Sequence, residues 1–136
     1  MKITILSIGN ELLSGDTINT NAGWMGRILT EIGCDICQHI TVPDKKIPIF
    51  NALNQLINLN PDFIILSSGF DAHEMDPIGG LKVTTQGYAT MTEYFVRIAE
   101  ECCKGRILSV LEGGYNLKAL SESVAVHLRE LSGMKN

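Results

Sequence analysis

At 136 residues the chain is long enough for one hydrophobic core and short for two. Hydrophobic residues make up 45% of it and charged residues 19%, with a formal net charge of -4. That composition is globular, and its mild acidity offers no basic footprint for nucleic acid. No apolar run approaches the ~20 residues a spanning helix needs, and Met1-Lys2-Ile3-Thr4-Ile5-Leu6 leads straight into a strand pattern rather than a secretory signal. No membrane partner and a cytoplasmic location are therefore expected.

Lys2 to Ile8 is a β-rich run ended by Gly9-Asn10, the first strand and its turn. Residues 11 to 19 read as a loop containing Gly15-Asp16. Thr20 can cap a helix carrying Trp24, Met25, Ile28, Leu29 and Ile32 on one side, and Gly33 stops it. Trp24 and Met25 are read as core residues. Asp35 to Val42 forms a second strand with Pro43-Asp44 at its exit. Pro48 suits a helix start, followed by Ile49, Leu53, Leu56 and Ile57 at helical spacing.

After the linker Asn58 to Asp62, Phe63-Ile64-Ile65-Leu66 is continuously apolar, as expected of a strand covered on both faces. Residues 69 to 83 form a long loop rich in Gly and Asp. A helix follows from about Thr85 to Cys103, with Tyr88, Met91, Phe95, Ile98 and Cys102 inward. Arg106 to Leu111 is the fourth strand, and Glu112-Gly113-Gly114-Tyr115-Asn116 turns the chain. Leu117, Leu120, Val124, Leu128 and Leu131 stripe the last helix, with His127 on its polar flank.

The order βαβαβαβα predicts one α/β domain over residues 1–136: a three-layer, Rossmann-like or flavodoxin-like sandwich around a four-stranded parallel sheet. Its strand order is not encoded in the sequence, and 2-1-3-4 is a guess from the usual right-handed crossovers. Sites in such sheets lie beyond the carboxyl ends of strands. Those ends carry Glu11, Asp44, Asp71 with His73, and Glu112 with Tyr115. Cys34-Asp35-Ile36-Cys37 has the spacing of a redox or zinc pair, but it stands at a strand start where alternation sends the two side chains to opposite faces. A redox pair would open a helix, so these cysteines are read as structural, as are Cys102 and Cys103.

Ile8-Gly9-Asn10-Glu11-Leu12-Leu13-Ser14-Gly15, then Asn19-Thr20-Asn21 and Thr41-Val42-Pro43-Asp44, resemble the molybdopterin-binding-like domain of the competence/damage-inducible protein family over residues 1–55. The resemblance implies that Gly9, Asn10, Glu11 and Gly15, with Asn19 and Asn21, shape a pocket for a pterin- or nucleotide-like phosphate ligand. It also implies that Asp44 handles phosphate through a metal. The family's glycine loop after the third strand is replaced here by Ser67-Ser68-Gly69-Phe70-Asp71.

That replacement resembles another family. Asn60 to His73, Asp76-Pro77-Ile78-Gly79-Gly80-Leu81, Thr85-Gln86-Gly87-Tyr88 and Leu111 to Leu117 are similar to the C-terminal part of the histone deacetylase superfamily, over residues 59–132. The resemblance implies that Asp71 is a zinc-binding aspartate and that Tyr115 is the catalytic tyrosine, hydrogen-bonding the developing oxyanion of an amide. The family's paired histidines and Asp-x-His ligands have no counterpart upstream of Asp71, where His39 is the one histidine.

The chain therefore reads as a chimera joined at about residues 46–60, where both parents place a βα unit. Unbroken βα alternation favours recombination or design over a decayed gene. Each residue keeps a plainer alternative. Glu11 either binds a cation or accepts hydrogen bonds, Asp44 either handles phosphate or caps the next helix, and Gly9 and Gly15 either cradle phosphate or relieve crowding. Asp71 and Asp76 are read as bracing their loop in preference to binding metal.

The favoured function is a folded scaffold with no complete active site and no cofactor. The alternatives are a weak binding module for a phosphate-bearing nucleotide- or pterin-like ligand, and a zinc-dependent deacetylase-like amide hydrolase completed by another subunit; zinc or magnesium is a weak possibility as a cofactor. Open sheet edges and lost neighbours favour a homodimer.

Overall fold

The structure, a computed structural model, describes residues 1–8, 10–16, 18–43 and 45–133, with the backbone alone at Asn10 and Glu11. It divides into two compact units, Met1–Phe63 and Ile64–Asn136.

In the first unit, β1 (Lys2–Ile8) and β2 (Asp35–Val42) pair in parallel from Lys2 opposite Asp35 to Ile8 opposite Val42. Ile3 faces Ile36 and Thr4 faces Gln38, so Cys37 bulges out of the ladder. Cys37 is exposed, whereas Cys34 packs against Ile3, Ile5 and Ala22.

Between the strands run a short helix α1 (Asn10–Ser14), in a stretch expected to be loop, and α2 (Thr20–Glu31). Gly15 follows α1 with φ +84°, a conformation costly for any residue with a Cβ. The cap of α2 is Asn19 rather than Thr20, its Oδ1 accepting the Ala22 N–H at 3.1 Å. Ala22 and Leu29, seven residues apart, set the buried face of α2. Trp24 lies roughly 200° around the helix from Ala22. Trp24 is accordingly 59% exposed, not in the core, and Met25 at 37% sits on the flank.

α3 (Lys46–Ile57) buries Ala52 and Leu56 and contacts both strands of this sheet. Pro48 stands in its first turn, where an N–H would have no helical acceptor. The end of the unit is tied to its beginning: Lys2 N–H donates to Asp62 Oδ2 at 2.7 Å, and Asp62 N–H donates to the Lys2 carbonyl at 3.0 Å.

In the second unit, β3 (Ile64–Ser68) and β4 (Ile107–Leu111) pair in parallel, with Ile64 opposite Ile107 and Ser68 opposite Leu111. β3 is not covered on both faces as its apolar run suggested. Ile65 is 52% exposed, and Leu108 on β4 is 48% exposed. The inward face carries Ser68 and Ser109 opposite α5 (Leu117–Ser132), which packs on α4 (Thr85–Cys103).

Both helices are capped by side chains, Thr84 accepting from Gly87 and Asn116 accepting from Ala119. On α4 Tyr88 and Ile98 are buried as the stripe read in the sequence expects, but the rest of the inner rows differs. On α5 the buried row is Ala119, Ser123 and His127, leaving Leu117 81% exposed. On α4 it includes Thr92, Ala99 and Cys103, leaving Met91 exposed. Small side chains let the two helices approach closely, and that contact outweighs the burial of larger residues on the flanks.

The expected four-stranded sheet is not formed. Among the described residues the backbone ladders make two two-stranded sheets, β1 with β2 and β3 with β4. Side-chain periodicity identifies strands, but pairing is decided by backbone groups along each edge, which the pattern does not encode.

Ala99 is fully buried. Ala99→Leu is expected to lower stability by about 1–3 kcal/mol through overpacking, read as a lower urea midpoint. Leu117→Ala should change it by less than about 0.5 kcal/mol.

Candidate functional site

The second unit brings its chemically suggestive residues to the carboxyl ends of β3 and β4. Beyond the strands the ladder continues, with Glu112 N–H donating to Ser68 O at 3.0 Å and Phe70 N–H to Gly113 O at 2.8 Å. Phe70 is 3% exposed, and its ring lies 4.9 Å from that of Tyr88 and 5.6 Å from that of His127. This anchor fixes Asp71, the next residue, against two glycines. A Cβ on Gly113 would stand 2.7 Å from Asp71 Oδ2, and one on Gly69 would stand 3.0 Å from Oδ1.

Asp76 joins the two loops. Its Oδ1 accepts the N–H groups of Ile78 at 2.9 Å and Gly79 at 3.1 Å, and its Oδ2 accepts that of Tyr115 at 2.8 Å. The neighbouring Asn116 amide donates to Met75 O at 3.0 Å. Desolvation opposes ionisation of Asp76, but donors at Tyr115, Ile78, Gly79 and Asn116 together hold its pKa below the ordinary carboxylate value. Asp76 thus braces the loop as its sequence position suggested. Tyr115 is 56% exposed.

His73, 3% exposed, is committed to the loop. Its Nδ1 accepts the Met75 N–H at 3.1 Å, its Nε2 pairs with Thr85 Oγ1 at 3.2 Å, and its ring is parallel to Tyr88 at 6.3 Å. Burial first, and then the charge of Asp71, push the Tyr88 phenol above its ordinary pKa.

In the first unit, Asn19 is used at both ends of its amide. Oδ1 caps α2, and Nδ2 donates to Ser7 Oγ at 2.7 Å at the end of β1. Ser7 Oγ is also 3.0 Å from His39 Nε2. Asn21 is exposed in the first turn of α2, and Gly15 makes the turn after α1. Asn10 and Glu11 contribute backbone to α1, while Gly9 and Asp44 lie outside the described residues.

His127, expected on the polar flank of α5, is instead buried at 7% exposure. It bridges Thr92 Oγ1 and Ser109 Oγ, both at 2.7 Å. The signal available in the sequence was the four-residue spacing of Ala119, Ser123 and His127, which places a histidine on the same side as two small residues.

Family models match in two places: "Histone deacetylase domain" over residues 45–131 and "Probable molybdopterin binding domain" over residues 4–78. Histone deacetylase 14, chloroplastic, of Arabidopsis thaliana is 48% identical over 73 residues, covering 54% of this chain and 17% of that protein. Type-2 histone deacetylase 1 of Dictyostelium discoideum is 40% identical over 80 residues, covering 59% of this chain and 5% of that protein. Among solved structures, the HDA15 HD domain superposes with a TM-score of 0.52 at 40% identity, over 60% of this chain and 22% of that one. The histone deacetylase Clr3 gives 0.53 at 33% identity, over 62% and 14%. The chain thus spans a small part of each relative.

Two outcomes follow from this geometry. A Cβ at Gly79 would lie 1.8 Å from the Asp71 carbonyl oxygen. Gly79→Ala is therefore expected to displace the 70–83 loop and cost about 1–3 kcal/mol, seen as a lower melting temperature with amide shifts confined to that loop. Burial lowers the pKa of His127 below the ordinary 6.5, so on acidification the unfolded chain binds this proton first. Stability should fall as pH drops through about 6.5 toward the lower folded-state value, in urea titrations at stepped pH, and His127→Gln should flatten that part of the profile.

Proposed function

The chain belongs to the histone deacetylase domain family over residues 45–131 and to the "Probable molybdopterin binding domain" family over residues 4–78, and on that premise we propose a chimeric α/β protein whose deacetylase part does not hydrolyse acetyl amides. It carries a fragment of each domain. The fragment retains the carboxylate of Asp71 and the phenol of Tyr115 on two loops tied by Asp76.

Zinc hydrolysis needs about three protein donors, an open coordination position and a base for the bound water. The observation that carries the proposal is the engagement of the histidines. The sequence has three. His73 spends both ring nitrogens on Met75 and Thr85, His127 spends both on Thr92 and Ser109, and His39 pairs with Ser7. Among the described residues no three His, Cys, Asp or Glu side chains gather around Asp71 or elsewhere to share an ion. A catalytic zinc does not fit the donors among the described residues, and without one Tyr115 has no polarised carbonyl to stabilise.

The match over residues 4–78 favours a second reading, weak binding of a phosphate-bearing nucleotide or pterin by the first unit.

Release of acetate from an acetyl-lysine peptide, with zinc chloride added, is expected to match a protein-free control. It should be the same for the unaltered chain and for Asp71→Ala. Zinc-dependent turnover that disappears in Asp71→Ala would overturn the proposal. For the second reading, adenosine triphosphate should raise the melting temperature, and an unchanged melting curve counts against it.

A further inference from the structure

Ser109 stands at the middle of β4, and its hydroxyl lies 2.7 Å from His127 Nε2. The direction of each hydrogen bond around this pair follows from counting protons. A hydroxyl has one proton to give, and Thr92 gives its own to the Tyr88 carbonyl at 2.7 Å. The Thr92 oxygen must then accept from His127, 2.7 Å away, which puts the imidazole proton on Nδ1. Nε2 is left with its lone pair aimed at Ser109, so Ser109 donates to it. The Ser109 oxygen in turn accepts from Ser68 at 2.8 Å. The result is a serine held by a neutral imidazole whose tautomer is fixed from behind, the arrangement that activates a hydroxyl as a nucleophile.

Ser68, Ser109 and His127 open onto a cavity of about 170 Å³ whose other walls include Phe70, Val124 and Leu131. A small apolar acyl group suits such walls, and the hydroxyls lie where its carbonyl would approach. The geometry points to Ser109 as a nucleophile toward small acyl esters seated in this cavity, with His127 as its general base and Thr92 as the positioning residue. Neither Asp71 nor Tyr115 lines this cavity, and the step needs no metal.

In the step itself, a bond forms between Ser109 Oγ and the acyl carbon while the ester C–O bond breaks. The hydroxyl proton passes to His127 Nε2, the alkoxide or phenolate leaves with the bonding pair, and the imidazolium returns its proton to solvent. The elements packed on His127 present Thr92 from α4, Ser109 from β4 and the Phe70 ring, and desolvation accounts for its lowered pKa. The base is accordingly unprotonated at neutral pH.

The test is incubation of the intact chain with p-nitrophenyl acetate, followed by mass mapping of acetyl groups and by release of p-nitrophenolate. Ser109 should acquire the acetyl group well ahead of the exposed Ser121. His127→Gln should slow labelling at Ser109 by about 100-fold or more. Thr92→Val should move the midpoint of the pH–rate profile, and Thr92→Ser should restore it. Labelling of Ser109 no faster than of Ser121 overturns the inference in the unaltered chain, without reliance on any variant's folding. So does labelling indifferent to His127→Gln in a variant that keeps a cooperative melt.

Discussion

The second unit depends on one carboxylate. The long loop after β3 and the turn after β4 are far apart in sequence, and Asp76 closes them on each other by accepting N–H groups from Ile78, Gly79 and Tyr115. Without those bonds the loop amides would need other acceptors, and the loop would have no reason to hold one shape. Phe70 supplies the apolar half of the same closure, buried against Tyr88 and His127 while its backbone extends the ladder to Gly113. Asp71 follows directly on Phe70 and lies against Gly69 and Gly113, and Tyr115 is held through its N–H on Asp76.

The chemistry of the unit follows from which segments it contains. Hydrolytic metal sites assemble donors from several separate strand ends, so a fragment inherits only the donors on its own strands. Here β3 and β4 bring an aspartate and a tyrosine, and the histidines within the fragment are spent on backbone and hydroxyl groups. Imidazoles engaged at both nitrogens have no lone pair free for a metal. The polar row from Ser68 through Ser109 and His127 to Thr92 is a different device, in which every proton has a defined direction.

The two family matches overlap across residues 45–78, which include α3 and β3. A helix feeding an apolar strand satisfies the packing rules of either family, so this stretch fits both descriptions. Outside the overlap, the Asn-rich start of α2 falls within the molybdopterin-binding match alone and the Gly113-Gly114-Tyr115 turn within the deacetylase match alone, while Asp76 falls within both.

By itself the sequence determined the elements and the kinship. The strand β2 over Asp35–Val42 and the helix α4 over Thr85–Cys103 coincide with the expected bounds, because capping residues, glycines and periodicity act locally. The family motifs were legible for the same reason, being short runs whose residues sit together in the chain. Tertiary structure alone decided the rest. It paired the strands as β1 with β2 and β3 with β4, turned Ala119, Ser123 and His127 inward in place of Leu117 and Leu128, and left Trp24 at the surface. Those outcomes depend on how closely two surfaces approach and which backbone edges meet, and a hydrophobic pattern ranks residues by polarity without recording either distance.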